Sequence, residues 1–372
     1  MRVLFFSDNT SDHNRRFLEK LRQAELDVWF FDPTTDRLPE NWLPSGVHWV
    51  PSAKRIDREA QPSAFAASVA AFQDLLKRIG PDLIHAGPTY NCGYVTALSG
   101  FHPWLLVSWG SDILHQIHQG QQWRQATQIA LSGADAFFCD CDAVRAGAKR
   151  ITNLENDHIV QFPWGIRKGS FGPAGPLPTP PEFEREAGTQ VLISTRSWEP
   201  IYGIHVLLQA FAKAYSVDAS LRLLLLGRGS EAPQVQQYIE AHGVKDVVHI
   251  PGNIVRVDMP KWFRAADLYV SCSQSDGTSV SLLEAMATGL PVVVTDLAAN
   301  REWVTEGQNG WLASADSPKE FADRILQAAR LNPENRKRMA ERNQKIVAER
   351  ADWDRNFPRL VKMYKQLTSV EV

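Results

Sequence analysis

DLYVSCSQSDGTSVSLLEAMATGLPVVVT, residues 267–295, decides the fold class. DLYVS and PVVVT are short apolar runs without polar alternation, so each reads as a strand covered on both faces. Between them SVSLLEAMATG reads as a helix, ended by Gly289 just before Pro291. Strand, helix and a second buried strand make a parallel α/β unit.

The same alternation extends in both directions. In the first half RVLFF (2–6), DVWFF (27–31), DLIHA (82–86), WLLVS (104–108), DAFFC (135–139) and HIVQF (158–162) read as strands, with helical stretches at 12–24, 64–79, 120–131 and 142–150. The pattern stops at PWGIRKGSFGPAGPLPTPPEFEREAG (163–188), too rich in Pro and Gly for helix or ladder. It resumes with QVLIS (190–194), LRLLLLG (221–227) and VVHI (247–250), and ends in a charged helical segment from Pro333 to Leu367. The expected organisation is a Rossmann-like domain over 1–165, a linker over 166–188 and a second Rossmann-like domain over 189–350. A C-terminal helix within 351–372 is expected to pack back on the first domain. Open α/β sheets bind ligands outside the carboxyl ends of their strands, so two doubly wound sheets in tandem predict a deep ligand cleft between them.

Composition narrows the function. A chain of 372 residues exceeds one typical core, and 44% hydrophobic with 22% charged residues is ordinary for a soluble globular protein. A net charge of −2 argues against a nucleic-acid partner. The four cysteines, Cys92, Cys139, Cys141 and Cys272, have neither zinc nor Cys-x-x-Cys spacing, which fits a reducing cytoplasm. No apolar run reaches membrane-spanning length, and MRVLFFSDN lacks a signal-peptide core. The basic stretch HNRRFLEKLR (13–22) leaves peripheral association with the inner membrane face open. Asp140-Cys141-Asp142 looks like an Asp-x-Asp metal motif, but it follows a strand and precedes a helical run, so Asp142 reads as an N-cap. SDNTSD (7–12) contains no glycine and is no dinucleotide fingerprint.

Within the opening unit, Asp276 and Glu284 flank Gly277, Thr278, Ser279 and Ser281. A strand, a Gly-containing loop and a helix start aim free backbone N–H groups at an anion, and a diphosphate fits that description. Ser281-x-x-Glu284 also fits a plain capping box. Against the capping box, Glu284 shares the helix side of Val280, Leu283 and Ala287, where a carboxylate is costly unless something polar meets it. Spacing alone leaves both readings open.

The block resembles the signature of the retaining, GT-B-fold glycosyltransferases of glycosyltransferase family 4. There a Glu, seven residues and a second Glu precede Ala-Met-Ala-x-Gly-x-Pro-Val-Val; here Asp276, GTSVSLL and Glu284 precede AMATGLPVV. SDHNRRF (11–17), SWGSD (108–112), STRSWEPIYG (194–203), RAADLYVSCS (264–273) and QNGWLA (308–313) follow in the family's order, so the resemblance covers essentially the whole chain. It implies that Glu284 meets the nucleotide ribose. It also implies that Asp276 and the N–H groups of Gly277, Thr278, Ser279 and Val280 hold the sugar and diphosphate, helped by the Ser281 hydroxyl. Arg196 is implied to pair with the diphosphate, and Ile254 to stand where backbone meets the base. Thr10 and Ser11, with Trp109, Gly110, Ser111 and Asp112, are the implied acceptor or cleft residues of the first domain.

Three positions depart from the family pattern. Asp276 stands for the usual Glu, Tyr202 for a diphosphate-binding Lys, and Trp109 for a His beside the donor sugar. Of the twelve tryptophans, Trp109, Trp164, Trp198 and Trp303 stand shortly after strands or in loops; one or two are expected to contact ligand, the rest to be core.

The implied activity is retaining transfer of a sugar from a UDP-, GDP- or ADP-sugar to a lipid, glycan or small-molecule acceptor, without metal or cofactor. A sugar-nucleotide epimerase of the same architecture and a catalytically impaired nucleotide-sugar-binding protein are the rival readings. An NAD-dependent oxidoreductase would need the missing glycine fingerprint.

Overall fold

A computed structural model describes residues 1–167, 169–172, 180, 183, 185–252 and 254–368. The stretch 173–179, the most Pro/Gly-rich part of the expected linker, lies outside the described residues. The chain divides into two compact units, Met1–Phe162 with Arg355–Val372, and Pro163–Asp354.

The first unit is built on a seven-stranded parallel sheet. Its strands are β1 (Arg2–Phe6), β2 (Asp27–Phe31), β3 (Val47–Val50), β4 (Leu83–Ala86), β5 (Trp104–Val107), β6 (Ala136–Cys139) and β7 (Ile159–Gln161). Their order is β3-β2-β1-β4-β5-β6-β7, so the winding reverses between β1 and β4. Strands β4, β5 and β6 are buried at every position, which explains their unbroken apolar runs. The edge strand β3, VHWV, has only one buried residue and sits among prolines and polar residues, so periodicity did not expose it. The expected helix at 64–79 is two helices, Pro62–Ala66 and Val69–Ile79.

The second unit carries β8 (Gln190–Ser194), β9 (Leu221–Leu225), β10 (Val248–His249), β11 (Leu268–Ser271), β12 (Val292–Thr295) and β13 (Gly310–Ala313). The order is β10-β9-β8-β11-β12-β13, all parallel, with the reversal between β8 and β11. Strand β13, within QNGWLA, went unread as a strand because it is short and begins at a glycine. Linker residues belong to this unit: Ile166 bridges to Asp352, and Phe171 is buried against Phe263.

The charged segment from Pro333 to Leu367 is not continuous. It forms helices Pro333–Arg350, Trp353–Asn356 and Pro358–Thr368. The chain passes from the second unit to the first between Asp354 and Arg355, and Pro358 opens the last helix. There Leu360 and Tyr364 are buried, and the last helix packs on β4, β6 and β7. Tyr364 Oη contacts Nδ1 of His85, a buried β4 residue stacked on Phe5 at 4.4 Å between ring centres. Burial lowers the His85 pKa from 6.5 to about 3.

Candidate functional site

In a doubly wound sheet the crevice opens where the strand order reverses. In the second unit that point lies beyond the carboxyl ends of β8 and β11. Thr195 and Arg196 follow β8, and the loop Cys272–Ser279 follows β11. Arg196 and Asp276 meet across the reversal, with Nη2 of the arginine 2.9 Å from Oδ2 of the aspartate.

Arg196 is held from three further directions. Its Nη1 donates to the hydroxyls of Ser279 and Ser281 at 2.8 and 3.3 Å, and the Tyr202 ring covers its guanidinium at 4.1 Å. Tyr269 in turn donates its hydroxyl to Ser281 at 3.0 Å. Burial alone would push the Arg196 pKa down, but Asp276 and Tyr202 hold it above the ordinary arginine value. Burial pushes the Asp276 carboxyl up, while Arg196 and the Gly277 backbone N–H pull it back. Tyr202, standing where the family pattern has a lysine, thus lies over the Arg196 guanidinium.

Two close approaches lock this arrangement. Gly203 has φ +61°, and a Cβ there would lie 2.3 Å from the Cys272 carbonyl oxygen. Gly227, at φ +126°, passes so near the Arg196 carbonyl that a Cβ would lie 2.5 Å from it. Side chains are excluded at both positions, and the loops after β8, β9 and β11 close around the arginine.

The helix of the opening unit runs Val280–Thr288, with Ser279 as N-cap and Gly289 as a left-handed C-cap at φ +90°. The Ser279 hydroxyl accepts from the Leu282 N–H at 3.4 Å. The capping box Ser281-x-x-Glu284 is therefore corrected: the cap lies two residues earlier, and Glu284 is inside the helix. No acidic residue occupies the first turn, and the carboxylate nearest this helix start is that of Asp276, paired with Arg196. Gly277, Thr278 and Ser279 are buried at this end, while Val280 and Ser281 are half-buried.

Glu284 is only 3% exposed, and its partner is a residue that sequence reasoning missed. Arg256 Nη2 lies 2.5 Å from Glu284 Oε1. Arg256 stands in the loop GNIVRVDM, two residues past Ile254, and nothing in local spacing ties it to a glutamate 28 positions on. Ile254 packs against the apolar core of the unit.

In the first unit the reversal between β1 and β4 is also bridged. Asp8, fully buried after β1, accepts from Asn91 Nδ2 at 2.6 Å and lies 3.6 Å from Arg58 Nε. Asp32, after β2, has its pKa raised to about 6 by burial, with Asp8 adding to the shift and Thr34 opposing it. Asp8, Arg58 and Asn91 were not singled out by motif reading; the signal was Ser7-Asp8 directly after a buried strand. Of the residues that were, Ser11 is the N-cap of helix Asp12–Gln23, and its hydroxyl accepts from the Asn14 N–H. Thr10 is half-buried beside it. The basic stretch 13–22 lies on that helix, whose Phe17, Leu18 and Leu21 are buried in the core.

SWGSD forms a locked turn. Asp112 is buried and accepts from the Ser108 hydroxyl at 2.5 Å and from the N–H groups of Thr89 and Trp109 at 3.0 and 3.1 Å. Gly110 takes φ +84° and donates to Ser108, and Ser111 begins a short helix, Ser111–Leu114. Trp109 is half-buried, whereas Trp164, Trp198 and Trp303 are buried core residues.

Asp142 is not an N-cap. It is the first residue of helix Asp142–Ile151, Cys141 occupies the cap position, and Asp142 pairs with Arg145 at 2.6 Å. Among the described residues no group of three His, Cys, Asp or Glu is placed to hold a metal ion. The four cysteines are all buried. Among the described residues no helix is long and apolar enough to cross a membrane.

Residues 180–346 match the family described as Glycosyl transferases group 1, and residues 2–141 match the family described as Glycosyl transferase 4-like. A D-inositol 3-phosphate glycosyltransferase of Corynebacterium urealyticum is 30% identical over 339 residues, 83% of this chain and 77% of that protein. In structure the chain is similar to sucrose-phosphate synthase from Thermosynechococcus elongatus, with TM-score 0.83, 18% identity and 99% of each chain covered. It is also similar to Anabaena HepE in complex with UDP, with TM-score 0.76, 20% identity, and 99% of this chain and 100% of that one covered.

Proposed function

The chain belongs to the group 1 glycosyl transferases, GT-B enzymes of the family 4 type, and from that premise we propose that it transfers a sugar from a nucleotide diphosphate sugar to an acceptor hydroxyl with retention at the anomeric carbon. The observation that carries this reading is the convergence of Arg196 with the start of helix Val280–Thr288, whose first turn holds no acidic residue. A guanidinium and free backbone N–H groups at one strand edge are the donors a departing diphosphate requires.

In this reading the second unit binds the donor and the first binds the acceptor. Glu284 accepts from the ribose hydroxyls. The diphosphate takes the place of Asp276 on Arg196, which frees the aspartate for the sugar. The acceptor oxygen attacks C1 from the face the diphosphate leaves, through an oxocarbenium-like state. The bond from C1 to the diphosphate oxygen breaks, the bond from C1 to the acceptor oxygen forms, and the acceptor proton passes to the leaving phosphate. Arg196 and the helix start stabilise the charge that grows there, so the reaction proceeds without a metal ion or covalent intermediate. UDP in the solved HepE complex makes UDP-sugars the first donors to try.

A thermal-shift screen of UDP-, GDP- and ADP-sugars tests the donor assignment, because a ligand bound to the folded state raises the melting temperature. The expected outcome is a shift by one base class that persists in chelator. Failure of all three classes would refute the assignment. Proton NMR of the product then reports the anomeric configuration.

A further inference from the structure

We infer that Arg256 is the positioning residue of the donor site: it orients the Glu284 carboxylate so that this group can accept the two ribose hydroxyls of a nucleoside diphosphate. The inference rests on the donor reading above and adds a residue that the family pattern does not supply.

The physical case begins with the cost of Glu284. A carboxylate 3% exposed on a helix side shared with Leu283 and Ala287 is expensive unless a cation meets it. Arg256 supplies that cation at 2.5 Å. Two vicinal hydroxyls are best received by an ionised carboxylate, which only accepts; a protonated one would present a competing donor. Arg256 therefore helps fix the direction in which Glu284 presents its oxygens.

The loop directs Arg256 inward. Ile254 packs on the core, Val255 and Val257 are 59% and 80% exposed, and Arg256 lies between them with its side chain turned to Glu284. The neighbouring acid is already engaged, since Asp258 pairs with Lys261 at 2.6 Å. The Arg256 side chain is 36% exposed, whereas Glu284 is closed off.

The test is isothermal titration of UDP, GDP, ADP, 2′,3′-dideoxy-UDP and inorganic pyrophosphate into wild type, Arg256→Met and Arg256→Lys. Wild type is expected to bind one ribonucleoside diphosphate more tightly than any ribose-free probe. Arg256→Met should weaken that ligand about tenfold or more, the scale of hydrogen bonds to a charged group. Pyrophosphate, held at the Arg196 end, should stay within about twofold, and Arg256→Lys should recover part of the loss. If UDP is the ligand, the preference for UDP over its dideoxy form should collapse in Arg256→Met. An undiminished nucleotide affinity in Arg256→Met would overturn the inference, and so would an equal loss of pyrophosphate, which marks general damage. If wild type binds none of UDP, GDP and ADP, the donor reading itself fails and this inference falls with it.

Discussion

Arg196 touches more of the candidate site than any other side chain described above: one guanidinium joins Asp276, Ser279, Ser281 and the Tyr202 ring. Removing a preorganised donor aimed at developing charge costs about 10²–10³ in kcat. Arg196→Ala is therefore expected to lower kcat by that order, and Arg196→Lys to recover only part, since an ammonium lacks the planar fork. Steady-state rates with the donor found by screening check both. Asp276 is the signature acid that is one methylene shorter than the family's usual Glu. In Asp276→Glu the carboxylate reaches farther past Arg196, so the ratio of kcat/KM for two donors differing at one sugar hydroxyl should change by about tenfold. An unchanged ratio would remove Asp276 from sugar selection. Residue types at these positions were legible from the motif. That Tyr202 lies on Arg196, and that Arg256 meets Glu284, was not, because each contact joins loops separated by tens of residues or carries no local pattern.

At the level of elements, the helix Val280–Thr288 was readable almost to the residue, because its stop is encoded locally by Gly289 and Pro291. Its start was less clear, since Ser279 and Ser281 are both cap-forming residues and only the observed hydrogen bond to Leu282 chooses between them. Ser279→Ala should cost roughly 1 kcal/mol, a fall in melting temperature of about 2–4 °C, and should also weaken pyrophosphate binding. A second element test concerns the last helix. His85 is neutral and buried with its pKa lowered from 6.5 to about 3, so between those values the unfolded chain binds the extra proton. Its contribution is thus full above pH 6.5 and is lost as pH falls toward 3, at up to about 1.4 kcal/mol per pH unit. Replacing both partners, His85→Phe with Tyr364→Phe, should flatten that slope in urea unfolding at pH 4.5 and 7. A slope equal to wild type would show that other groups carry the acid sensitivity.

For the whole molecule, the decisive feature is that the chain returns to its first unit after completing the second. Truncation after Asp354 removes the helix Pro358–Thr368 and the burial of Leu360 and Tyr364, each worth about 1.5–3 kcal/mol. The first unit should then melt roughly 10 °C lower, while the nucleotide-induced shift of the second unit persists. Calorimetry with and without UDP reports both; loss of the nucleotide shift would show that the tail supports the donor site as well.

By itself the sequence determined the α/β class, most of the buried strands, the two sheets in succession and the strand–loop–helix over 267–289. Those properties follow from apolar periodicity, Gly and Pro stops and residue type, all of which act over a few neighbours along the chain. Only the tertiary structure decided the edge strand Val47–Val50, the breaks in the C-terminal helical segment, the core fate of Trp164, Trp198 and Trp303, and the partners of Arg196 and Glu284. These depend on which elements the fold brings together from distant parts of the chain, at a sheet edge for Val47–Val50 and at a strand-order reversal for Arg196 and Asp276. A reversal in strand order joins residues far apart in the chain, and such a contact leaves no mark on the spacing of either residue.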